Sequence, residues 1–192
     1  MFTLKVNEHI ILRILSARDA SRLFQITDES RAYLRKWLPW VDDTKSPDDS
    51  FSFIKSSLQL YNKQTAVTLG IFYQDTLVGV VGYNKVDYRN KIGSIGYWLA
   101  ENYQGNGIMT ASVRTLIDYG FERLKLNRVD IHAAVENYPS RHIAEHLGFQ
   151  CEGQIRQAEW LYDHYVDHKI YGLLRSEWEN QYKTALSTEN PT

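Results

Sequence analysis

The run Tyr97-Trp-Leu-Ala-Glu-Asn-Tyr-Gln-Gly-Asn-Gly-Ile-Met-Thr110 constrains this chain more than any other stretch. An extended apolar segment ends at Leu99, a polar turn follows, and an amphipathic helix begins within three residues of the end of Gln104-Gly-Asn-Gly107. A strand, a glycine turn and a helix start together make an anion cradle. Glycine lets the main chain approach a ligand closely and take positive φ. The free N–H groups of the first helical turn, with the helix dipole, then attract negative charge. A pyrophosphate is the natural guest. A P-loop is excluded because no Lys follows the turn, and a dinucleotide fingerprint because Thr110 stands where a third glycine is required.

The surrounding pattern places this turn inside a mixed α/β chain. Residues 8–15 alternate as a strand, residues 17–28 read as a helix capped near Ser16, and residues 30–40 as a short second helix ending near Pro39. The polar stretch 42–49, with Pro47, reads as a loop before a helix over 50–63. Strands are expected over 66–73 and 76–86 around Gln74-Asp75, and again over 91–99. A helix over 110–124, a short strand over 129–133 and a helix over 138–147 stopped by Gly148 follow. Strands over 150–158 and 161–173 precede a polar tail helix over 175–186, and residues 187–192 should fray. One strand–helix–strand unit in a mostly antiparallel sheet gives an α/β layer fold. At 192 residues and 43% hydrophobic content, a single domain over 1–192, with its core over about 8–174, is the expectation.

Composition removes several function classes. Net charge is −1 and no basic run marks a nucleic-acid footprint. No apolar run approaches membrane-spanning length, and the N-terminus lacks the blocks of a signal peptide. The lone Cys151 allows no internal disulfide, fits a reducing cytoplasm and reads as a small filler rather than a nucleophile.

The segment Gln104-Gly-Asn-Gly107-Ile-Met109 resembles the coenzyme A pyrophosphate motif Gln/Arg-x-x-Gly-x-Gly/Ala of the GCN5-related N-acetyltransferases, with Met109 where Gly or Ala is usual. Four further segments occur in the family's order: His9-Ile-Ile-Leu-Arg13, Val135-Glu-Asn137-Tyr-Pro-Ser140, Leu147-Gly148-Phe149 and Gly153-Gln-Ile-Arg-Gln-Ala-Glu159. Together they resemble the RimJ/RimL-like branch, the ribosomal-protein-serine acetyltransferases, over roughly residues 8–174; Met109 is an expected variant there. The resemblance implies seven strands, four helices and a splay between the strands ending at Leu99 and Ala133. Acetyl-CoA would enter this splay as cosubstrate, against an apolar wall of Tyr97, Leu99, Ile108 and Ile131.

The same resemblance assigns roles. The main chain of Gln104, Gly105, Asn106, Gly107, Ile108, Met109 and Thr110 would hold the pyrophosphate. Trp98 and Leu99 would border the pantetheine, with a backbone N–H around Leu99 polarising the thioester carbonyl. Asn137 would bond the cofactor arm, or else serve as a turn residue before Pro139. Glu159 is the candidate general base, against a surface pairing with Arg156. Ser140 is the candidate acid for the leaving sulfur, against a helix-capping role, with Tyr138 a nearby substitute. The acceptor is expected to be the N-terminal amine of a ribosomal protein, attacked directly with no acyl-enzyme. The alternatives are a small amine, or a non-catalytic acyl-CoA-binding regulator. Trp37, Trp40 and the 42–49 loop should decide the acceptor. A homodimer is expected, with no nucleic acid, membrane or metal involved. One rival pattern, His142-Ile-Ala-Glu145-His146, has the His-x-x-Glu-His spacing of a zinc pair but no third ligand nearby. The alternating Asp163-His164 and Asp167-His168 read as a solvated sheet face or a polar entry.

Overall fold

The computed structural model describes residues 2–181. An eight-stranded sheet runs in the order β1-β2-β3-β4-β5-β6-β8-β7. Its strands are β1 (Thr3–Lys5), β2 (Ile10–Ile14), β3 (Val67–Tyr73), β4 (Thr76–Asp87), β5 (Ile92–Leu99), β6 (Arg128–Ala134), β7 (Gln150–Leu161) and β8 (His164–Leu174). Every neighbouring pair is antiparallel except β5 and β6, which the crossover helix makes parallel. One strand more is present than expected. Its three residues, β1, are too few to carry an alternation signal, and they gain their place by pairing with β2.

Helices α1 (Ala20–Glu29), α2 (Arg31–Leu34) and α3 (Pro47–Asn62) precede β3. Helix α4 (Ile108–Glu122) joins β5 to β6, and α5 (Tyr138–His146) joins β6 to β7. A last helix occupies 175–181; the rest of the expected tail helix and the fraying end lie outside the described residues. Leu23 and Ile26 of α1 and Ile54 of α3 pack with Phe72, Leu77 and Val80 on one face of the sheet. Val113, Leu116 and Phe121 of α4 and Leu147 after α5 pack with Leu69, Ile71, Val81, Ile131 and Tyr171 on the other.

Two boundaries depart from the sequence pattern for identifiable reasons. Helix α3 starts at Pro47 rather than at residue 50, because Ser46 and Asp49 form a reciprocal capping box and proline suits the first helical position. The α-helix expected over 30–40 stops at Leu34. The Arg31 guanidinium reaches the carbonyls of Val41 (2.6 Å) and Thr44 (2.7 Å) and folds the following segment back over the site. The β3–β4 turn is as the residues suggest: Gln74 and Asp75 both take positive φ, the requirement of a tight type I′ hairpin. Among the described residues, no helix is long and apolar enough to cross a membrane.

Candidate active site

The site begins where two parallel strands part. Strands β5 and β6 are paired from Ile92↔Arg128 to Ile95↔Ile131 and no further. Beyond Ile95 the other edge of β5 stays bound to β4, and the Ala100 N–H donates to the Val78 carbonyl (2.9 Å). Because main-chain groups alternate along a strand, those of Tyr97 and Leu99 face the gap. This is the expected splay. The Leu99 carbonyl there accepts the Gln104 side-chain amide (2.9 Å), which ties the strand end to the turn below.

The cradle follows at once. Gly105 (φ 75°) and Gly107 (φ 70°) are both left-handed, and a Cβ on either would meet no atom within 4 Å. Gly107 is the N-cap of α4, and the first amide to bond back into the helix is Ala111, to the Gly107 carbonyl (3.0 Å). The N–H groups of Ile108, Met109 and Thr110 therefore have no intrahelical partner. These residues fit a diphosphate: donor amides, positive helix end and open space coincide. Two expectations need correction. The Gln104 N–H is spent on the Glu101 carbonyl (3.1 Å), so donation is confined to residues after it. The Ile108 side chain is 1% exposed in the core and lines neither of the two cavities described below, because the first turn of α4 rotates it under the sheet.

Two cavities meet at the end of β5. A crevice of about 70 Å³ holds Leu99, Gln104, Met109, Pro139 and Ile143. A chamber of about 760 Å³ on the α1–α3 side holds Asn84, Ser94, Ile131, His132, Glu159 and His168 under a lip of Trp40, Asp43, Asp49 and Phe53. Both are lined by Trp37, Leu38, Tyr97, Trp98, Asn137 and Ser140. Two reactants entering from opposite sides would touch at this shared wall.

At that wall, Asn137 is the N-cap of α5: its Oδ1 accepts the Ser140 N–H (3.3 Å), which leaves its Nδ2 donors for a ligand. The capping role weighed for Ser140 thus belongs to Asn137. The Ser140 hydroxyl instead lies 3.1 Å from the Tyr97 hydroxyl, which also donates to the Ser140 carbonyl (3.0 Å). Burial pushes the Tyr97 phenol up to about 12, so it stays a proton donor. Tyr138 is not a substitute acid. It is 54% exposed, lines neither cavity and bonds Glu136 (3.2 Å), because its place at the start of α5 points it outward.

Glu159 faces the chamber, and its carboxylate pairs with His168 (3.4 Å) rather than with Arg156. His168 therefore belongs to the chamber wall, whereas Asp163 and His164 pair with each other at the surface (2.7 Å). Three further chamber residues gave little sequence signal. Asn84 lines it from a bulge in β4, between Tyr83 and Lys85. Ser94 and His132 flank Asp130, which accepts the Ser94 hydroxyl and lies 3.7 Å from His132. On the lip, N–H groups of Lys45 and Ser46 and the Ser46 hydroxyl hold the Asp49 carboxyl below its ordinary range, so it is anionic. The His-x-x-Glu-His pattern resolves into surface chemistry. His142 is exposed, Glu145 accepts the Tyr171 hydroxyl (2.8 Å), and no cluster of metal-ligating side chains forms among the described residues.

Comparison with known proteins agrees with this geometry. The acetyltransferase (GNAT) domain family matches residues 9–150. A Bacillus subtilis (strain 168) protein, YdaF, provisionally named as a ribosomal N-acetyltransferase, is 38% identical over 94% of this chain and all of its own. The ribosomal-protein-serine acetyltransferase of Escherichia coli (strain K12) is 32% identical over 90% of this chain and 96% of its own. The spermidine N(1)-acetyltransferase of Vibrio cholerae is 25% identical over 92% and 99%. Two solved structures superpose closely. The L7/L12 α-N-acetyltransferase RimL with coenzyme A has TM-score 0.88, with 28% identity over 92% of this chain and 99% of that one. The microcin C7 self-immunity acetyltransferase MccE with acetyl-CoA and AMP has TM-score 0.86, with 33% identity over 89% and 95%. A turn whose donor amides fit a diphosphate, opening on a gap between parted strands, thus occurs in a chain that belongs to the GNAT acetyltransferase family, and the protein is an acetyl-CoA-dependent N-acetyltransferase.

Proposed function

We propose that the acceptor is the N-terminal α-amine of a protein, a serine-starting ribosomal protein in particular, and that Glu159 and Ser140 serve its acetylation from opposite sides of the shared wall. The observation that carries this reading is the meeting of the two cavities at Tyr97, Asn137 and Ser140, with Glu159 facing the acceptor side. The ribosomal-protein-serine enzyme among the relatives supports the choice of acceptor. So does the chamber, whose 760 Å³ lies toward the upper end of ordinary ligand sites and admits residues behind the amine.

The chemistry asks little of the base. Near pH 7 an α-amine of pKa about 8 is neutralised for roughly 1.4 kcal/mol, against about 4.6 for lysine. A carboxylate acting directly or through one water suffices. Glu159 takes the proton as the amine attacks the thioester carbonyl, and the main-chain N–H of Leu99, facing the gap, steadies the oxygen as it gains charge. The Ser140 hydroxyl hydrogen-bonds the sulfur as it gains charge, beside the Tyr97 hydroxyl that burial keeps protonated, and the proton taken by Glu159 returns through solvent to the departing thiolate. Asn137 bonds the pantetheine arm through Nδ2, and the amides from Gly105 to Thr110 hold the diphosphate. No acyl-enzyme is needed, because both reactants reach the wall together.

A second reading, acetylation of a small polyamine, draws on the spermidine acetyltransferase among the relatives and on Asp43 and Asp49 at the chamber lip. We further propose that the chain forms one acetyltransferase domain, works in the cytoplasm without nucleic acid, and pairs as a homodimer. The outer edge of β7, unpaired with any other strand among the described residues and exposed through most of its length, supports the pairing. The acceptor is tested by incubating the enzyme with acetyl-CoA and either ribosomal proteins or spermidine, and mapping new acetyl groups by mass spectrometry. Modification of spermidine alone overturns the protein acceptor. In the same assay Glu159→Gln should lower kcat at least tenfold with acetyl-CoA affinity intact; full turnover removes Glu159 from the mechanism.

A further inference from the structure

Glu159 reaches the chamber only because β7 is irregular. Ile155 pairs with His168 on β8, but the next paired residue, Glu159, lies opposite Val166, so Arg156, Gln157 and Ala158 face Asp167 alone. Had the ladder continued evenly from Ile155, Glu159 would stand opposite His164, about 7 Å further along the sheet at 3.3 Å per residue. It would then lie beyond His168 and away from the chamber. The two extra residues are the device that brings the carboxylate back.

The bulge is held by one side chain. At its apex Gln157 takes φ 50°, a conformation that residues other than glycine keep only when the surroundings impose it. The Gln157 N–H donates to Asp167 Oδ1 (2.8 Å), and the Gln154 amide donates to Asp167 Oδ2 (2.6 Å). These two bonds, the backbone one first, keep the Asp167 carboxyl below its ordinary range and therefore anionic. The Asp167 carbonyl meanwhile accepts the Val135 N–H (3.0 Å), at the head of the segment that runs through Asn137 to Ser140. The next residue, His168, meets Glu159 from the chamber side.

We infer that Asp167 is a positioning residue: its carboxylate clamps the 156–158 bulge and so sets Glu159 against the acceptor amine. The inference rests on the reading of Glu159 as the base. A displacement of about an ångström at a reacting group costs on the order of a hundredfold in rate. Loss of the clamp therefore acts on kcat and spares cofactor binding, since the cradle lies on another segment.

The test uses the full chain with a serine-starting peptide, in a thiol-release assay, together with amide hydrogen exchange. Asp167→Ala should lower kcat about 10- to 100-fold, with KM for acetyl-CoA within twofold. It should also speed exchange of the Gln157 amide at least tenfold while amides of β4 and β5 keep their protection. Asp167→Asn should restore kcat to within about threefold, because its oxygen still accepts the Gln157 N–H and Gln154 can flip its amide to match. In the Glu159→Gln background Asp167→Ala should add no further loss. An unchanged Gln157 exchange rate overturns the clamp whether or not the peptide is turned over. An equal multiplicative loss in the Glu159→Gln background shows that Asp167 acts elsewhere. If Glu159→Gln alone keeps full rate, the base assignment fails, and the exchange arm still decides whether Asp167 holds the bulge.

Discussion

Gly107→Val separates what the cradle contributes to the fold from what it contributes to binding. A valine at φ 70° pays the left-handed penalty of about 2 kcal/mol, since two branches on Cβ crowd the following carbonyl. Apart from its chain neighbours, no described residue lies within 4 Å of the new Cβ, so no further clash adds to that. The expected fall in Tm is therefore only about 4–8 °C for a chain of this size. The effect on the ligand is different in scale. The empty volume around Gly107 adjoins the unpartnered amides of α4, and two valine methyls there displace the diphosphate from the donors. Loss of just two charge-assisted bonds, at about 1.5–3 kcal/mol each, gives about 3–6 kcal/mol, or roughly 10²- to 10⁴-fold in Kd. Calorimetric titration with acetyl-CoA at 25 °C, beside a thermal melt of the same preparation, reads both quantities. A folded variant with Kd within threefold of the parent protein would refute the assignment of this turn to the diphosphate. A collapse of Tm by 20 °C would show that the turn is held by contacts the open geometry does not contain.

Two further predictions bear on the catalytic wall and the frame behind it. Ser140→Ala should reduce kcat tenfold or more and leave Tm within about 2 °C, because Asn137 rather than Ser140 caps α5; a melt lowered without a rate effect would make the hydroxyl structural. Asp19 accepts two bonds from Arg13 (2.8 and 2.9 Å) and two from Ser16. Burial alone would raise its carboxyl, but Arg13 and Ser16 outweigh burial and hold it below the ordinary range. A depressed acid stabilises the fold above its unfolded pKa of about 3.9, and that contribution disappears as pH falls through the lower folded value. Asp19→Asn should therefore cost about 1–3 kcal/mol at pH 7, and its denaturation curve should draw toward that of the parent protein as pH falls below about 3.9. Parallel curves down to pH 3 would remove Asp19 from the acid response.

Legibility in the sequence tracked how local each feature was. The β3–β4 hairpin depends on Gln74 and Asp75, and the start of α4 depends on Gly107, so both could be read from a few consecutive residues. The early start of α3 was equally local, yet Pro47 hid it: proline marks a loop in one setting and the first helical turn in another, and the Ser46–Asp49 box decides which. The truncation of α2 was not local. It depends on Arg31 finding carbonyls ten and thirteen residues away, a choice that no periodicity encodes.

The same distinction runs through the site. The proposed cofactor half is contiguous main chain from Gly105 to Thr110, and a motif suffices to point to it because its chemistry would be carried by amides and by the absence of side chains. The proposed acceptor half is assembled from distant segments: Trp40 and Asp43 before α3, Asn84 in a β4 bulge, His132 on β6, Glu159 and His168 on β7 and β8. Each meets the others only through strand register, and two of the strands involved, β4 and β7, depart from regular pairing where they enter the chamber. None of these positions belongs to the cradle segment. On the proposed assignment, acceptor choice is thereby free to diverge while acetyl-CoA binding is retained. On that account relatives alike over nine-tenths of this chain can carry acceptor names as different as a ribosomal-protein serine and spermidine.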